Sequence, residues 1–391
     1  MRIVDVCAFY TPHGGGVKTY AERKLRAGPA NGHEIIIVAP GDTQEVRTMG
    51  PRARLVTVPS PKFPLDRRYH YFNDESALHD LLDSLQPDLV EASSPWTSAS
   101  MVARWKGKAP RALVMHADPL SAYAYRWFGP VMPREMIDRG FGWFWRHLRR
   151  LDESFDLVVS ASNSLTRRLT GGGLTGVVTL PMGVEPGIFS PTLRDEDLRA
   201  RMLAQCGLPR DATLLTGIGR LAPEKRWPMV IDAVAAAGYE RPVGLMLLGD
   251  GRDRAKVQAA AADNPHIRLA APVTDRSALA AILASSDALV HGCEAETFCM
   301  AAAEARASGL PLIVPNEGGA SDQFVAGQGR RYRWADGGSM AHAISRFLAT
   351  DPVAHRARAT ALASSVQDMD GHFANLFALY QQAAARTRHA A

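Results

Sequence analysis

Four cysteines in 391 residues are too few and too scattered for a disulfide framework, and Cys7, Cys206, Cys293 and Cys299 show no metal-ligand spacing. Reduced thiols and a cytosolic setting follow. Long apolar runs are also missing: no stretch approaches the roughly 20 residues that span a bilayer. The opening Met1-Arg-Ile-Val-Asp-Val-Cys-Ala-Phe9 is too short for a leader and carries Asp5, so it reads as a first strand. The glycines after the first strand lack the Gly-x-Gly-x-x-Gly spacing of the dinucleotide fingerprint, which argues against a nucleotide-dependent oxidoreductase. Repeats of solenoid period and low-complexity tracts are absent too. Charge of one sign is in small excess, a formal +5 from 45 basic and 40 acidic residues. The basic residues are spread along the chain and no nucleic-acid module is visible, so an anionic substrate or anionic membrane surface suits this balance better than nucleic acid.

What is present is a hydrophobic content of 46 %, ample for two cores, in a chain whose length suits two α/β domains. Apolar runs at 3–9, 34–38, 55–58, 88–91, 112–115, 157–160 and 177–180 read as strands. Helical patterns at 17–26 and 75–85 fall between them. The second half repeats the scheme, with strands at 213–218, 243–248, 267–270, 288–291 and 312–314 and helices at 227–237, 252–262, 277–285 and 298–307. Such alternation predicts parallel sheets covered by helices on both faces. The expected division is a first doubly wound domain over 1–180, a Pro- and Gly-rich linker over 181–191 and a second doubly wound domain over 192–365. A C-terminal helix over 366–391 completes it. Ligands of such sheets bind beyond the carboxyl ends of the strands, here in a deep cleft between facing domains.

The most informative motif is Glu296-Thr-Phe-Cys-Met-Ala-Ala-Ala-Glu304, which follows the apolar run Ala288-Leu-Val. Strand, turn and helix follow in that order, and Gly309 with Pro311 stops the helix. A helix N-terminus at the crest of a sheet attracts phosphate. Glu296 falls just before the helix and Glu304 about two turns into it, offset by about 80°. Two carboxylates so placed suit a polyhydroxylated ligand with a diphosphate between its ends.

Other candidates sit at strand ends. Gly14-Gly-Gly16 follows the first strand, and either serves close approach to a phosphate or is a plain turn. In Gly219-Arg-Leu-Ala-Pro-Glu-Lys225, Arg220 offers a planar fork and Lys225 a point charge for a diphosphate; two solvated cations is the bland reading. His116 ends a strand and is structural or catalytic with equal ease. The Gly251 backbone lines the turn Gly249-Asp-Gly251, while Gly318 and Gly319 precede Asp322. The aromatic-basic stretch 123–151 holds Trp127, Trp143, Trp145 and Arg146, and is either a helix resting on anionic lipid or a core helix with a solvated basic face. Arg67, Arg68, Tyr69 and His70 form a second such cluster, suited to touching an acceptor.

Together these motifs resemble the retaining glycosyltransferases of family 4, whose fold is called GT-B. The resemblance covers nearly the whole chain, through the motifs around Arg220, Lys225, Glu296 and Glu304, the early Gly-Gly-Gly-Val, His116, and Met182-Gly-Val-Glu-Pro-Gly-Ile-Phe189. It implies that the second domain binds a nucleotide-sugar, usually a UDP-sugar, and the first an acceptor. Carried over by residue, Glu296 holds donor-sugar hydroxyls and Glu304 the ribose. Arg220 and Lys225 neutralise the diphosphate. Gly219, Gly251, Phe298, Cys299 and Met300 line the donor site, Gly15 and Gly16 close over the diphosphate, and His116 lies beside the donor sugar. The family works without a bound metal, so no cofactor is expected. Its last helix commonly crosses back to the first domain. Cys299 departs from the family's usual glycine and narrows the donor pocket.

The function so implied is retaining transfer of a sugar to an acceptor hydroxyl, with a membrane lipid as the favoured acceptor and a saccharide or lipid-linked saccharide as the alternative. A non-catalytic nucleotide-sugar binder and an epimerase are the competing classes. A cytoplasmic protein, peripheral at the inner face of the membrane, fits the lipid reading.

Overall fold

The computed structural model describes residues 1–11, 16–64, 69–118, 120–129 and 131–390. The chain forms two compact units. The first comprises Met1–Asp118, Phe128–Pro181 and Asp370–Ala391; the second comprises Pro119–Trp127 and Met182–Met369.

The first unit holds β1 (Arg2–Val6), β2 (Glu34–Gly41), β3 (Glu45–Gly50), β4 (Ala53–Pro59), β5 (Leu89–Ala92), β6 (Arg111–Met115), β7 (Leu157–Ser160) and β8 (Val177–Thr179). Their order is β3-β4-β2-β1-β5-β6-β7-β8. β3 runs antiparallel to β4; the other pairs are parallel. The central strands are near-continuous apolar runs because both faces are covered, as in β2, where Ile35, Ile36, Ile37 and Val38 are all buried. β3 reads Glu-Val-Arg-Thr-Met-Gly, lies exposed at the edge and carried no apolar signal.

The second unit holds β9 (Thr213–Ile218), β10 (Val243–Leu248), β11 (Ile267–Ala270), β12 (Ala288–Val290), β13 (Leu312–Pro315) and β14 (Gly329–Tyr332), all parallel, in the order β11-β10-β9-β12-β13-β14. Successive residues of β9 feed opposite cores. Leu215 packs with Val230, Val234 and Leu245, whereas Leu214 packs with Met246 and Leu283. That two-sided burial is what the period of alternating strands and helices demands. β14, Gly-Arg-Arg-Tyr, is a second polar edge strand that the pattern did not reveal.

The final helix, Met369–Ala390, packs within the first unit from Asp370 onward. Phe373 lies 5.1 Å from Tyr20 and Phe377 lies 4.9 Å from His33 between ring centres. The stretch 123–151, read from sequence as one amphipathic helix, is broken. It contains Tyr125–Phe128, Arg134–Gly140 and Gly142–Ser154, the second entered through Pro133.

Candidate functional site

β9 is the strand where the second sheet reverses direction, since β10 adds on one side and β12 on the other. Loops leaving β9 and β12 therefore part at a topological switch point, the usual place for a ligand. The first carries Lys225 in a single turn, Pro223–Lys225, and then Arg226 in a left-handed conformation at φ 51°. The second carries His291 and Glu296. The Lys225 ammonium bonds Oε1 of Glu296, and His291 Nε2 stands 3.2 Å from that same oxygen. Cys299 Sγ lies 3.6 Å from His291 Nε2. Among the described residues, Oε2 of Glu296 has no partner.

Charge is fixed in this cluster. Burial alone would push the Glu296 pKa up, but the Lys225 ammonium and the His291 hydrogen bond outweigh it and hold the carboxyl well below its usual range. Burial likewise works against the Lys225 charge, and the Glu296 carboxylate reverses that and raises it. The pair is ionised at any physiological pH.

The helix begins at Met300, two residues later than expected, because Cys299 adopts φ 69° and closes the preceding loop. Glu304 is thus one turn inside Met300–Ala307, and Glu296 lies off the helix altogether. The helical offset between the two carboxylates does not apply. No side chain caps this helix, leaving its first N–H groups open to an anion. Glu304 is buried against Arg276, and burial raises its pKa although Arg276 pulls the other way. Arg276 also stands 3.8 Å from Glu185 and stacks 5.0 Å over the Phe189 ring.

Other second-unit candidates divide. Arg220 is 79 % exposed and pairs with Glu224 at 3.1 Å, so it does not join the Lys225–Glu296 pair. Lys225 faces Glu296 in place of open solvent. Gly219 opens its loop beside Trp227, whose Nε1 donates to Arg220 O at 2.9 Å. Gly251 needs its missing Cβ for packing: an added carbon would stand 2.4 Å from Leu221 O. At Gly319 it would meet Phe298 N at 2.6 Å. The close approach at both glycines is thus to neighbouring backbone. Phe298 is buried and Met300 half-buried. Sequence reasoning missed Arg226–Glu294, paired at 3.0 Å, which ties the same two loops together. It also missed His291, whose side chain offered no signal beyond its place at a strand end.

In the first unit, Gly15 lies outside the described residues, as do Arg67 and Arg68, and Gly16 opens the helix Gly16–Ala30. His116 ends β6 edge-on to Tyr20, ring centres 4.8 Å apart. Burial lowers its pKa to about 4, so the imidazole is neutral. Tyr69 is half-buried beside Phe9, and His70 Nε2 sits 3.1 Å from Asp42. Trp145 is corrected to a core residue: it is buried, donates to Asp138 at 3.3 Å and lies under the Arg168 guanidinium. Trp127 and Trp143 are 60 % and 53 % exposed, and Arg146 is exposed.

Among the described residues, one group of side chains has the spacing of a metal site. Donor atoms of His291, Glu296 and Cys299 lie within 4.8 Å of one another.

Comparison with known proteins gives consistent results. Residues 14–187 match the family described as Glycosyltransferase Family 4, and residues 199–363 match Glycosyl transferases group 1. The chain is 30 % identical over 364 residues to the GDP-mannose-dependent alpha-(1-6)-phosphatidylinositol dimannoside mannosyltransferase of Mycobacterium tuberculosis, covering 92 % of this chain and 90 % of that one. A GDP-mannose-dependent alpha-mannosyltransferase of the same species is 30 % identical over 82 % of this chain and 81 % of its own. In fold, the chain is similar to sucrose-phosphate synthase from Thermosynechococcus elongatus at a TM-score of 0.74 and 18 % identity, covering 99 % of this chain and 100 % of the other.

Proposed function

Because the chain belongs to the family 4 glycosyltransferases and has the GT-B fold, we propose that it transfers mannose from GDP-mannose to a hydroxyl of a glycosylated phosphatidylinositol lipid, with retention of configuration. The UDP-sugar expected from the family at large gives way here to GDP-mannose, which both mycobacterial relatives carry in their names. The first of those names also supplies the acceptor class.

The observation that carries the reading is the ionised Lys225–Glu296 pair at the switch point, with one carboxylate oxygen left over. In this reading that oxygen accepts from mannose hydroxyls, and Glu304 accepts from the ribose. Lys225, Arg220 and the open N-terminus of Met300–Ala307 take the diphosphate. Positive charge fixed where the leaving group gains negative charge lowers the barrier to breaking the sugar–phosphate bond. The acceptor hydroxyl attacks the same face, and the leaving diphosphate takes its proton. His116 is kept neutral, with one donor and one acceptor nitrogen on its ring. These cations do the work often given to a metal, so transfer in EDTA should equal transfer in magnesium.

Lipid acceptors call for a surface that meets lipid. No helix among the described residues is long and apolar enough to cross a membrane. Exposed Val131, Met136 and Trp143, with Arg139 and Arg146 exposed beside them in sequence, support peripheral docking on anionic lipid.

The test is transfer from GDP-mannose and from UDP-glucose to phosphatidylinositol mannosides in anionic vesicles, with the anomeric configuration of the product read by NMR. An α-mannoside made from GDP-mannose supports the proposal. Turnover confined to the UDP-sugar, or a β-linked product, overturns it.

A further inference from the structure

His291 is 1 % exposed, and its ring has two nitrogens in unlike surroundings. Nε2 faces Oε1 of Glu296 at 3.2 Å and Cys299 Sγ at 3.6 Å. Nδ1 is buried and, among the described residues, has no hydrogen-bond partner. Two arrangements of matter fit those distances, and they make opposite demands on the ring.

In the first, Nε2 is a metal ligand. Tetrahedral ligands at about 2.0–2.3 Å from zinc stand roughly 3.3–3.6 Å apart, close to the separations seen. But a metal-bound Nε2 puts the ring proton on Nδ1, and a ligating histidine normally donates that proton to a neighbour. Here it would be a buried donor with no acceptor. The oxygen such a metal would use is also already bonded to the Lys225 ammonium. A dication beside that ammonium would have to displace it.

In the second arrangement Nε2 carries the proton and donates to the ionised carboxylate. Only a lone pair on Nδ1 is then left unmatched. The reverse tautomer would set an Nε2 lone pair against a charged oxygen and strand the Nδ1–H as well. The second arrangement is the favourable one. It has a geometric consequence, because Lys225 and His291 converge on Oε1 and no described residue holds Oε2.

We propose that His291 is a positioning residue for the donor sugar: its Nε2–H and the Lys225 ammonium together grip Oε1 of Glu296 and so present Oε2 to the sugar hydroxyls. This rests on the donor assignment above and deepens it. A second part of the same assembly is Tyr332, whose hydroxyl donates to His291 O at 2.7 Å and fixes the backbone from which the ring projects. Because His291 acts on the carboxylate that serves the sugar and not on Glu304, it should govern the sugar and leave the nucleotide alone.

The experiment uses full-length His291→Leu and His291→Gln, each checked by its melting temperature. Glutamine keeps an N–H near the Nε2 position; leucine removes it. Loss of a hydrogen bond to a charged group predicts that kcat/KM for GDP-mannose falls roughly 10- to 100-fold in His291→Leu. The Kd for GDP alone should stay at its wild-type value, and His291→Gln should regain most of the loss. Parallel losses of GDP and GDP-mannose affinity, or a glutamine variant as poor as the leucine one, would assign the ring a packing role and overturn the proposal. The 15N shifts of His291 in the wild-type protein provide a readout without turnover or mutation: a protonated Nε2 with bare Nδ1 supports the proposal, and the opposite tautomer overturns it. Stoichiometric zinc retained through dialysis and lost on Cys299→Ser would also overturn it, in favour of the metal. A wild-type protein that binds GDP but does not turn over GDP-mannose would sink the donor assignment and leave the tautomer to decide the placement of Oε1.

Discussion

Lys24 in the first unit and Lys225 in the second both face carboxylates, yet the two clusters are finished differently. Asp5 of β1 and Glu91 of β5 stand opposite each other in register, two acids side by side on neighbouring strands. That pairing is repulsive unless a cation intervenes. Lys24 intervenes, 2.8 Å from Asp5 and 2.5 Å from Glu91, with all three side chains buried. Ser93 donates to Asp5 at 2.5 Å and Tyr380, from the final helix, donates to Glu91 at 2.6 Å. Both oxygens of each carboxylate are bonded inside the fold. The Lys225–Glu296 cluster keeps one oxygen open and Glu296 22 % exposed. Its backbone also differs. Lys24 sits in an unbroken helix, whereas Arg226 and Cys299, both left-handed non-glycine residues, flank the second pair. A closed polar cluster on relaxed backbone is scaffold; an open one held by strained backbone is where a ligand is expected.

The largest effect should come from Lys24→Met. It leaves two carboxylates buried without their cation, which costs about 3–5 kcal/mol of stability. Chemical denaturation measures this, and a loss under about 1 kcal/mol would mean the cluster is not held by charge. Lys225→Ala reverses the balance. Glu296 keeps its His291 contact and is 22 % exposed, so the stability loss should be smaller than at Lys24, about 1–3 kcal/mol. Transfer should fall about 100- to 1,000-fold, as when a charge-stabilising group is removed from an active site. A variant that loses stability and activity in proportion would erase the distinction between the two clusters.

The same contrast marks what could be read from sequence. Strands β7, β9 and β10 match the apolar runs residue for residue, because burial on both faces writes a continuous apolar signal. Edge strands β3 and β14 carry polar residues and gave no such signal. Glu296, Glu304 and Lys225 were legible because loop glycines and a helix signal frame them. Lys24 was not: in a helix reading Val-Lys-Thr-Tyr-Ala-Glu-Arg-Lys, one lysine among several basic residues looks solvated. Its burial depends on two acids 19 and 67 residues away in sequence. Cys299 was noticed as a departure, but the positive φ that explains why glycine suits that place is a property of the backbone.

Acidification separates the two clusters further. Burial, with Lys24 adding to it, lowers the pKa of both His116 and His372 in the first unit to about 4, from an ordinary 6.5. For His372 the hydrogen bond to Pro181 O opposes this only partly. Between pH 6.5 and 4 the unfolded chain binds protons that the folded histidines refuse, so stability falls as pH falls. The slope is at most about 1.4 kcal/mol per pH unit for each histidine. Asp5, pushed upward by burial, works against this above its ordinary 3.8. Glu296 is held low, so its contribution persists down to its ordinary 4.5 and is lost only below that. The melting temperature of His372→Gln should therefore depend less on pH than that of the wild type across pH 6.5 to 4. Identical slopes would mean His372 does not titrate in this window.

The smallest effect expected is at Cys299, and it measures how much strain the open cluster carries. A side chain at φ 69° is disfavoured by about 1–2 kcal/mol relative to the right-handed region. Cys299→Gly removes that strain. It also gives the unfolded chain about 0.4–1 kcal/mol of extra entropy, and it deletes the buried Sγ that touches His291. The opposing terms should leave stability within about 1 kcal/mol of wild type. Cys299→Ala keeps the strained Cβ and loses the same Sγ, so it should be less stable than the glycine variant in calorimetry. If alanine proves the more stable, the left-handed turn is not strained. The second cluster would then differ from the first only in its open oxygen, and the backbone would have no separate part in marking the site.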